Sequence, residues 1–351
     1  MSSLNSLTDL LQESGTQFRI YDMGRQIQKI SPVLFAQIEK GIKIYPRPYL
    51  HHAWLALLIF NPKHQEQNVV WFLKFPLDEQ GYLIQAVRDD FINRLMLNIN
   101  QMLAATQLSK AEDALKDNPF SFTPDQEKMA AFHAIIARET HANRSQYYPA
   151  CQRYFQGKTL WTDWQNLGLQ GISEVAVNID DHQAMLAKHF AQYAQPPLIA
   201  LCCALEHVKI NSALARAIQS KLESHVSSAT LQPAEKVPLA SALLRALYGA
   251  PNTQCKKQSV ERLLNSQLAD NAEILTTIAI KMSDQLTCPD TLGLFLEKLA
   301  ISEVGQQGFS RILTDLMFSD HLRQAILQAF RQPQRSNELS AAIGSMFGSK
   351  F

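Results

Sequence analysis

The sequence lacks an excess of charge of either sign. Its 33 lysine and arginine residues are balanced by 32 aspartate and glutamate residues, so the formal net charge is +1. A nearly neutral chain has no global attraction for nucleic acid or anionic lipid. The basic clusters are small, Lys256-Lys257 and Arg331 with Arg335, and no aromatic residues alternate with them as in an RNA-binding module. We therefore expect neither nucleic acid nor a membrane among its partners.

The sequence also lacks any cysteine motif. Its five cysteines are irregularly spaced and none forms a CxxC pair, which excludes a zinc ribbon and a thioredoxin-like site. They are Cys151, Cys202, Cys203, Cys255 and Cys288. An odd number with two adjacent members predicts reduced, mostly buried thiols in a cytosolic protein. Lysines next to Cys255 suggest, as a hypothesis, that the pKa of this thiol is lowered.

Long apolar runs are missing as well. The longest, "AWLALLIF" at residues 53–60, falls far short of the roughly 20 residues that a membrane helix needs. The opening "MSSLNSLTDLLQESG" lacks the basic region and the long apolar region of a signal peptide. Its leucine spacing predicts an amphipathic helix that ends at Gly15. We expect a soluble, cytoplasmic protein.

An ordinary hydrophobic content of 46% over 351 residues predicts at least one sizeable core and favours two domains over one. The pattern predicts an α+β fold, with an N-terminal mixed or antiparallel sheet and helices over residues 1–106. "AWLALLIFN" and "NVVWFLKFP" are the clearest strands. Because both are apolar on their two faces, we expect a sheet that is covered on both sides. A charged linker is predicted at residues 107–122.

Residues 123–351 are predicted to form an all-α domain, with one possible strand at 174–178. Thr123 is the expected N-cap of its first helix. Helix pairs are predicted to begin near Pro196, Pro233, Ala269 and Ser302, in steps of 37, 36 and 33 residues. This period favours a HEAT-like α-solenoid, and a compact helical bundle is the alternative.

The stretch "FRIYDMGRQIQKIS" contains the first candidate site. Asp22 and Gly24 are typical of a tight hairpin turn, in which glycine supplies a positive φ. The alternative is a loop that presents Asp22 and Arg25 to a polar ligand. A single glycine matches no phosphate-binding loop, so we predict no nucleotide cofactor here.

Arg47, His51 and His52 in "YPRPYLHH" are further candidate ligand- or partner-binding residues. Adjacent histidines in a strand point to opposite faces, so they cannot both bind one ion in regular β-geometry. No cysteine or third histidine lies near them in the sequence. The structural interpretation is therefore favoured over a metal site.

A second cluster of carboxylates and imidazoles comprises Asp180, Asp181, His182 and His189. On a helix the two histidines would lie about 10 Å apart along the axis, too far to share an ion readily. The aspartates are better explained as an N-cap. We predict no metal and no cofactor.

Trp161 and Trp164 in "TLWTDWQNLG" are spaced to lie on one helix face. They are candidates for an exposed aromatic anchor for a partner, although burial between helices is the simpler interpretation.

No convergent catalytic set appears in the sequence. The leading hypothesis is a non-enzymatic interaction or adaptor protein that uses a helical-repeat surface. The alternative is an enzyme or small-ligand-binding protein with its site where the sheet and helical domains meet. Self-association into a homo-oligomer is a third hypothesis.

The "YDMGR" segment at residues 21–25, with the blocks "HHAWLALLIF" and "VVWFLKFPLDEQGYL", resembles a family of proteobacterial proteins of unknown function. The resemblance takes in nearly the whole chain. It implies a bacterial cytoplasmic setting and supplies no activity, substrate or catalytic residue.

Overall fold

A computed structural model describes residues 6–13, 17–61, 64–104 and 118–348. The chain divides into two compact units, residues 1–124 and residues 125–351. The first contains an antiparallel sheet with helices and the second is built from helices, which confirms the α+β fold class.

The sheet of the first unit has four strands in the order β2-β1-β3-β4, and every neighbouring pair is antiparallel. The strands are β1 Gln17–Asp22, β2 Gln28–Ile30, β3 His52–Asn61 and β4 His64–Pro76. The helices are α1 Leu7–Glu13, α2 Pro32–Glu39 and α3 Gln85–Ala104. Gly15, the predicted end of the first helix, lies outside the described residues.

Both faces of the sheet are buried at its centre. Ile20 pairs with Leu57 on one face and Tyr21 with Ala56 on the other, and all four side chains are at most 1% exposed. On the first of these faces α3 packs against β4, where the Phe91 and Phe75 rings lie 5.3 Å apart. The apolar character of both strand faces therefore reflects burial on both sides, as predicted.

Helix α2 forms where the sequence places its start signals. The Ser31 hydroxyl accepts a hydrogen bond from the Leu34 amide (3.2 Å), and Pro32 occupies the first turn. Glu39, at the other end, is buried and its carboxylate accepts from the Leu7 and Thr8 amides at 2.8 and 3.0 Å. This contact caps α1 and ties the two helices together.

The segment at residues 118–122 extends the sheet beyond β4. The Lys74 amide donates to the Phe120 carbonyl (2.7 Å), and the Phe122 amide donates to the Phe72 carbonyl (3.1 Å). The last residues of the predicted linker thus lie on the sheet, while residues 107–117 are outside the described residues.

The second unit is a succession of helices joined by short turns. They are α4 Gln126–Thr140, α5 Tyr148–Phe155, α6 Leu169–Val177, α7 Gln183–His189, α8 Gln195–Leu205, α9 Ser212–Ser227, α10 Pro233–Ala246, α11 Thr253–Leu264, α12 Ala272–Lys281, α13 Pro289–Ala300, α14 Gly305–Leu316, α15 Asp320–Ala329 and α16 Asn337–Gly348. The prediction of a possible strand at 174–178 is wrong, because this segment forms the end of α6. Residues 171–177 of this helix are all buried.

These helices form two layers. Each even-numbered helix from α4 to α16 packs on the next even-numbered one, and α5 to α15 pack likewise. Helices α8, α10, α12, α14 and α16 begin at residues 195, 233, 272, 305 and 337, so the steps are 38, 39, 33 and 32 residues. The four predicted repeat starts lie within three residues of the first four of these helices. Whether the repeat is HEAT-like stays a prediction.

Candidate functional site

The structure brings five of the seven sequence-predicted site residues together at one end of the sheet. Asp22 ends β1, Arg25 lies in the β1–β2 loop, Arg47 and His51 lie on the connection before β3, and His52 is the first residue of β3. We call these residues, with Tyr45, Tyr49, Trp54 and Lys74, the sheet-end cluster.

The Asp22–Arg25 segment forms the start of a hairpin loop at residues 23–27. Asp22 is only 1% exposed, and its Oδ1 accepts a hydrogen bond from the Gly24 amide (2.7 Å). Gly24 does not adopt a positive φ, so the predicted reason for glycine here is wrong. A Cβ at Gly24 would lie 3.1 Å from Asp22 Oδ1 and 3.2 Å from Tyr49 Cβ. Glycine is needed for this close approach.

Tyr45 lies beside the Asp22 carboxylate. Its hydroxyl donates to the Trp54 carbonyl oxygen (3.3 Å) and also interacts with the Asp22 side chain. Burial raises the pKa of Tyr45 well above its usual value, and the neighbouring Asp22 charge raises it further. The phenol therefore stays protonated and acts as a hydrogen-bond donor.

Arg25 and Arg47 lie along the "YPRPY" segment. Arg25 Nε donates to the Pro48 carbonyl (3.0 Å), and the Arg25 guanidinium lies 5.8 Å from the centre of the Tyr49 ring. Arg47 Nη1 is buried and has no hydrogen-bond partner within the described residues. A buried guanidinium donor in that state is costly unless a ligand or water satisfies it.

A strained two-residue turn carries His51. Tyr49 and His52 exchange both backbone hydrogen bonds at 3.1 Å, and the residues between them, Leu50 and His51, have φ values of 50° and 59°. A turn with two positive φ values normally contains asparagine and glycine. Non-glycine residues in this region cost about 1–3 kcal/mol each and cluster at functional sites.

His52, Trp54 and Lys74 complete the cluster. His52 Nδ1 lies 2.6 Å from the Leu50 carbonyl and donates to it, while burial lowers the pKa of this imidazole. Trp54 Nε1 donates to the Tyr49 carbonyl (2.8 Å), and Lys74 Nζ lies 4.5 Å from the Trp54 ring centre. His51 is near enough to His52 to contribute to the lowering of the His52 pKa, after burial and Lys74. Within the described residues no group of three candidate ligands could hold a metal ion.

Trp161 and Trp164 lie in the loop between α5 and α6, residues 156–168, and not on a helix as predicted. Trp161 packs against Tyr154 and Tyr193 at ring distances of 5.6 and 5.5 Å, and its carbonyl accepts from the Tyr154 hydroxyl (3.1 Å). Gly157, with φ of 68°, lies directly under the indole. Trp161 therefore anchors the loop.

Apolar side chains remain at the surface of this loop. Leu160 is 69% exposed, whereas Trp164 and Leu167 are half-buried and also pack against the apolar core. The Leu167 amide donates to the Trp164 carbonyl (3.0 Å), and Tyr147, 46% exposed, packs against Gly168. We call Tyr147, Leu160, Trp164 and Leu167 the loop patch.

A buried ionic cluster in the second unit was missed by the sequence reasoning. The Glu206 carboxylate accepts from Arg245 Nε (2.6 Å) and lies 3.3 Å from Lys281 Nζ and 3.4 Å from His207 Nε2. These residues come from α10, the end of α12 and the turn after α8. Although burial alone would raise it, the pKa of Glu206 is lowered by these neighbours. Burial lowers the pKa of Lys281 to about 8 and that of His207 to about 3.

The carboxylate and imidazole cluster of the sequence is not one site. Asp180 and Asp181 lie in a 3-10 turn and do not cap a helix. His182 is buried and pairs with the Tyr148 hydroxyl (2.9 Å), whereas His189 Nδ1 contacts Gln192 Oε1 (2.9 Å).

Four of the cysteines are buried, as predicted, and Cys288 is partly exposed. Burial raises the pKa of Cys151 and of Cys203 to about 11. The hypothesis for Cys255 is wrong, since burial raises the pKa of this thiol more than Lys256 lowers it.

The model of a family described as "Protein of unknown function (DUF3549)" matches residues 2–347. No curated protein and no solved structure matches the chain. Over the described residues, no helix is both long enough and apolar enough to cross a membrane.

Proposed function

Since the chain belongs to the DUF3549 family, whose description names no reaction, we propose its function from geometry: it is a non-enzymatic adaptor. It binds a protein partner through the helical unit, and the loop patch is the docking surface. The cytoplasmic setting and the absence of nucleic-acid partners remain predictions from the sequence.

The helical unit supports this proposal as a scaffold. One apolar core runs from α4 to α16, and the helices around it form two layers. Stacked helix pairs typically present extended surfaces to macromolecules. Loops on such a rigid support are common sites of binding.

The single observation that carries the proposal is that two neighbouring loop residues differ in burial: Trp161 fixes the loop, and Leu160 is exposed. Trp161 is held by Tyr154, Tyr193 and Gly157, so the loop has little conformational freedom left to lose on binding. Leu160, the residue immediately before Trp161, is among the most exposed large apolar side chains. Rigidly presented aromatic and aliphatic side chains are typical of binding hot spots.

The test compares affinity capture by the wild type with capture by two matched variants. Leu160→Glu introduces a charge into the loop patch. Ile301→Glu makes the same change at a similarly exposed residue (55% exposed) that follows α13. We expect a stoichiometric protein partner with the wild type and with Ile301→Glu, and at least a tenfold loss with Leu160→Glu, which corresponds to about 1.4 kcal/mol.

Equal recovery with both variants would contradict the docking surface. If the wild type isolated under gentle conditions recovers no stoichiometric partner, the adaptor function itself is wrong.

A further inference from the structure

We infer that the sheet-end cluster binds a small oxyanion, a carboxylate or a phosphate group, with Arg47 as its principal ligand. This site is independent of the loop patch and of the proposed adaptor function.

The charges of the cluster favour an anion. Within the described residues it contains three permanent cations, Arg25, Arg47 and Lys74, and one carboxylate, Asp22. That carboxylate is buried and already accepts from the Gly24 amide while interacting with the Tyr45 phenol. The permanent charges thus sum to +2, and Lys74 and Arg25 lie over the rings of Trp54 and Tyr49, which contact each other (5.9 Å).

Arg47 is held in advance of binding. Pro46 and Pro48 flank it and restrict the backbone on both sides. The segment is fixed at its ends, because the Tyr45 amide donates to the Gly81 carbonyl (2.8 Å) and Tyr49 pairs with His52. A guanidinium on such a support loses little entropy when it binds an oxyanion through two parallel hydrogen bonds.

The buried Arg47 Nη1 is the observation that points to a ligand. Its N–H groups find no acceptor within the described residues, which leaves a desolvated donor with a cost of its own. An oxyanion supplies the missing acceptors.

The experiment is calorimetric titration of the full chain with inorganic phosphate and, separately, with acetate, at constant ionic strength adjusted with chloride. Saturable binding of phosphate alone identifies a phosphate site, and saturable binding of acetate identifies a carboxylate site. Arg47→Met should weaken binding by about tenfold or more, because it removes a charge-assisted bidentate contact.

Two further variants complete the design. Arg94→Met removes an equal charge from the exposed Arg94–Asp90 pair on α3 and should bind like the wild type. Arg47→Lys keeps the positive charge but loses the planar guanidinium that makes two parallel hydrogen bonds, so it should bind the anion more weakly than the wild type. If Arg47→Met does not fold, Arg47→Lys provides the test. Absence of saturable binding to either anion, or equal affinity in wild type and Arg47→Lys, would overturn the inference.

Discussion

At the scale of single residues, the second unit depends on one buried carboxylate. Glu206 is surrounded by Arg245, Lys281 and His207, which belong to different parts of the two-layer stack. Two cations and one carboxylate are thus brought together, and the Glu206 and Lys281 side chains are only 1% and 8% exposed. Removing one member of a buried pair leaves the other charge uncompensated, which costs more than the pair itself contributes.

Glu206→Gln should therefore lower the free energy of unfolding by about 3–5 kcal/mol, because Lys281 and Arg245 lose their counter-charge. Glu261→Gln, which breaks the exposed pair with Lys257 (3.7 Å), is the matched control and should change it by less than about 1 kcal/mol. Urea unfolding followed by circular dichroism measures both. Equal midpoints for wild type and Glu206→Gln would show that the cluster is not structural.

His207 makes the free energy of unfolding depend on pH. Its pKa in the folded chain is about 3, whereas an unfolded histidine takes up a proton near pH 6.5. Between these values the unfolded state binds more protons, so this contribution to stability is complete above pH 6.5 and decreases as the pH falls. His207→Gln should weaken the loss of stability between pH 6.5 and pH 4.5, and the exposed variant His321→Gln should not. Parallel pH profiles for all three proteins would contradict this.

The sequence pointed to residues of the sheet-end cluster, but it did not predict what their side chains contact. Asp22 and Gly24 suggest a turn, but only the packed structure shows that Tyr49 Cβ is what excludes a side chain at residue 24. Lys74 was missed because its contact with Trp54 depends on strand register, which pairs these two residues directly.

At the scale of elements, the turn between Tyr49 and His52 has a strained backbone that several hydrogen bonds hold in place. Its ends are fixed by two backbone hydrogen bonds, and the His51 carbonyl accepts from the Leu77 amide (2.8 Å). The surrounding contacts thus hold two residues in a conformation that they disfavour.

His51→Gly should stabilise the first unit by about 1 kcal/mol, because glycine adopts a positive φ without strain. His52→Gly, one residue later in the extended strand β3, should be destabilising, since it removes the Nδ1 contact to Leu50 and adds backbone freedom. Thermal unfolding compares the two. A lower melting temperature for His51→Gly than for the wild type would show that the turn is unstrained.

The start of α4 and the type of the segment at 174–178 differ from the predictions, and both differences have a physical cause. Thr123 was the predicted N-cap of α4, but Asp125 accepts from the Lys128 amide (2.7 Å) and starts the helix two residues later. The segment at 174–178 resembled a strand because α6 is buried along its length and so shows no polar face. Such choices depend on tertiary packing, to which local patterns are insensitive.

At the scale of the whole molecule, the repeat could be predicted because it depends on helix length and turn length, and both are visible in the sequence. Apolar runs between proline, glycine and asparagine turns placed the starts of α8, α10, α12 and α14 within three residues. The loop patch could not be predicted, since the exposure of Leu160 follows from the packing of Trp161 against residues more than 30 positions away, such as Tyr193.

The central claim is that the chain acts by holding a protein partner. The most direct measurement is the native mass of the complex that forms around the chain at its natural level of expression, isolated without cross-linking. The adaptor function predicts a mass of one chain plus at least one different polypeptide in fixed ratio, which Leu160→Glu reduces to the chain without that partner. A mass equal to a single chain, or to a whole multiple of it, would contradict the adaptor function.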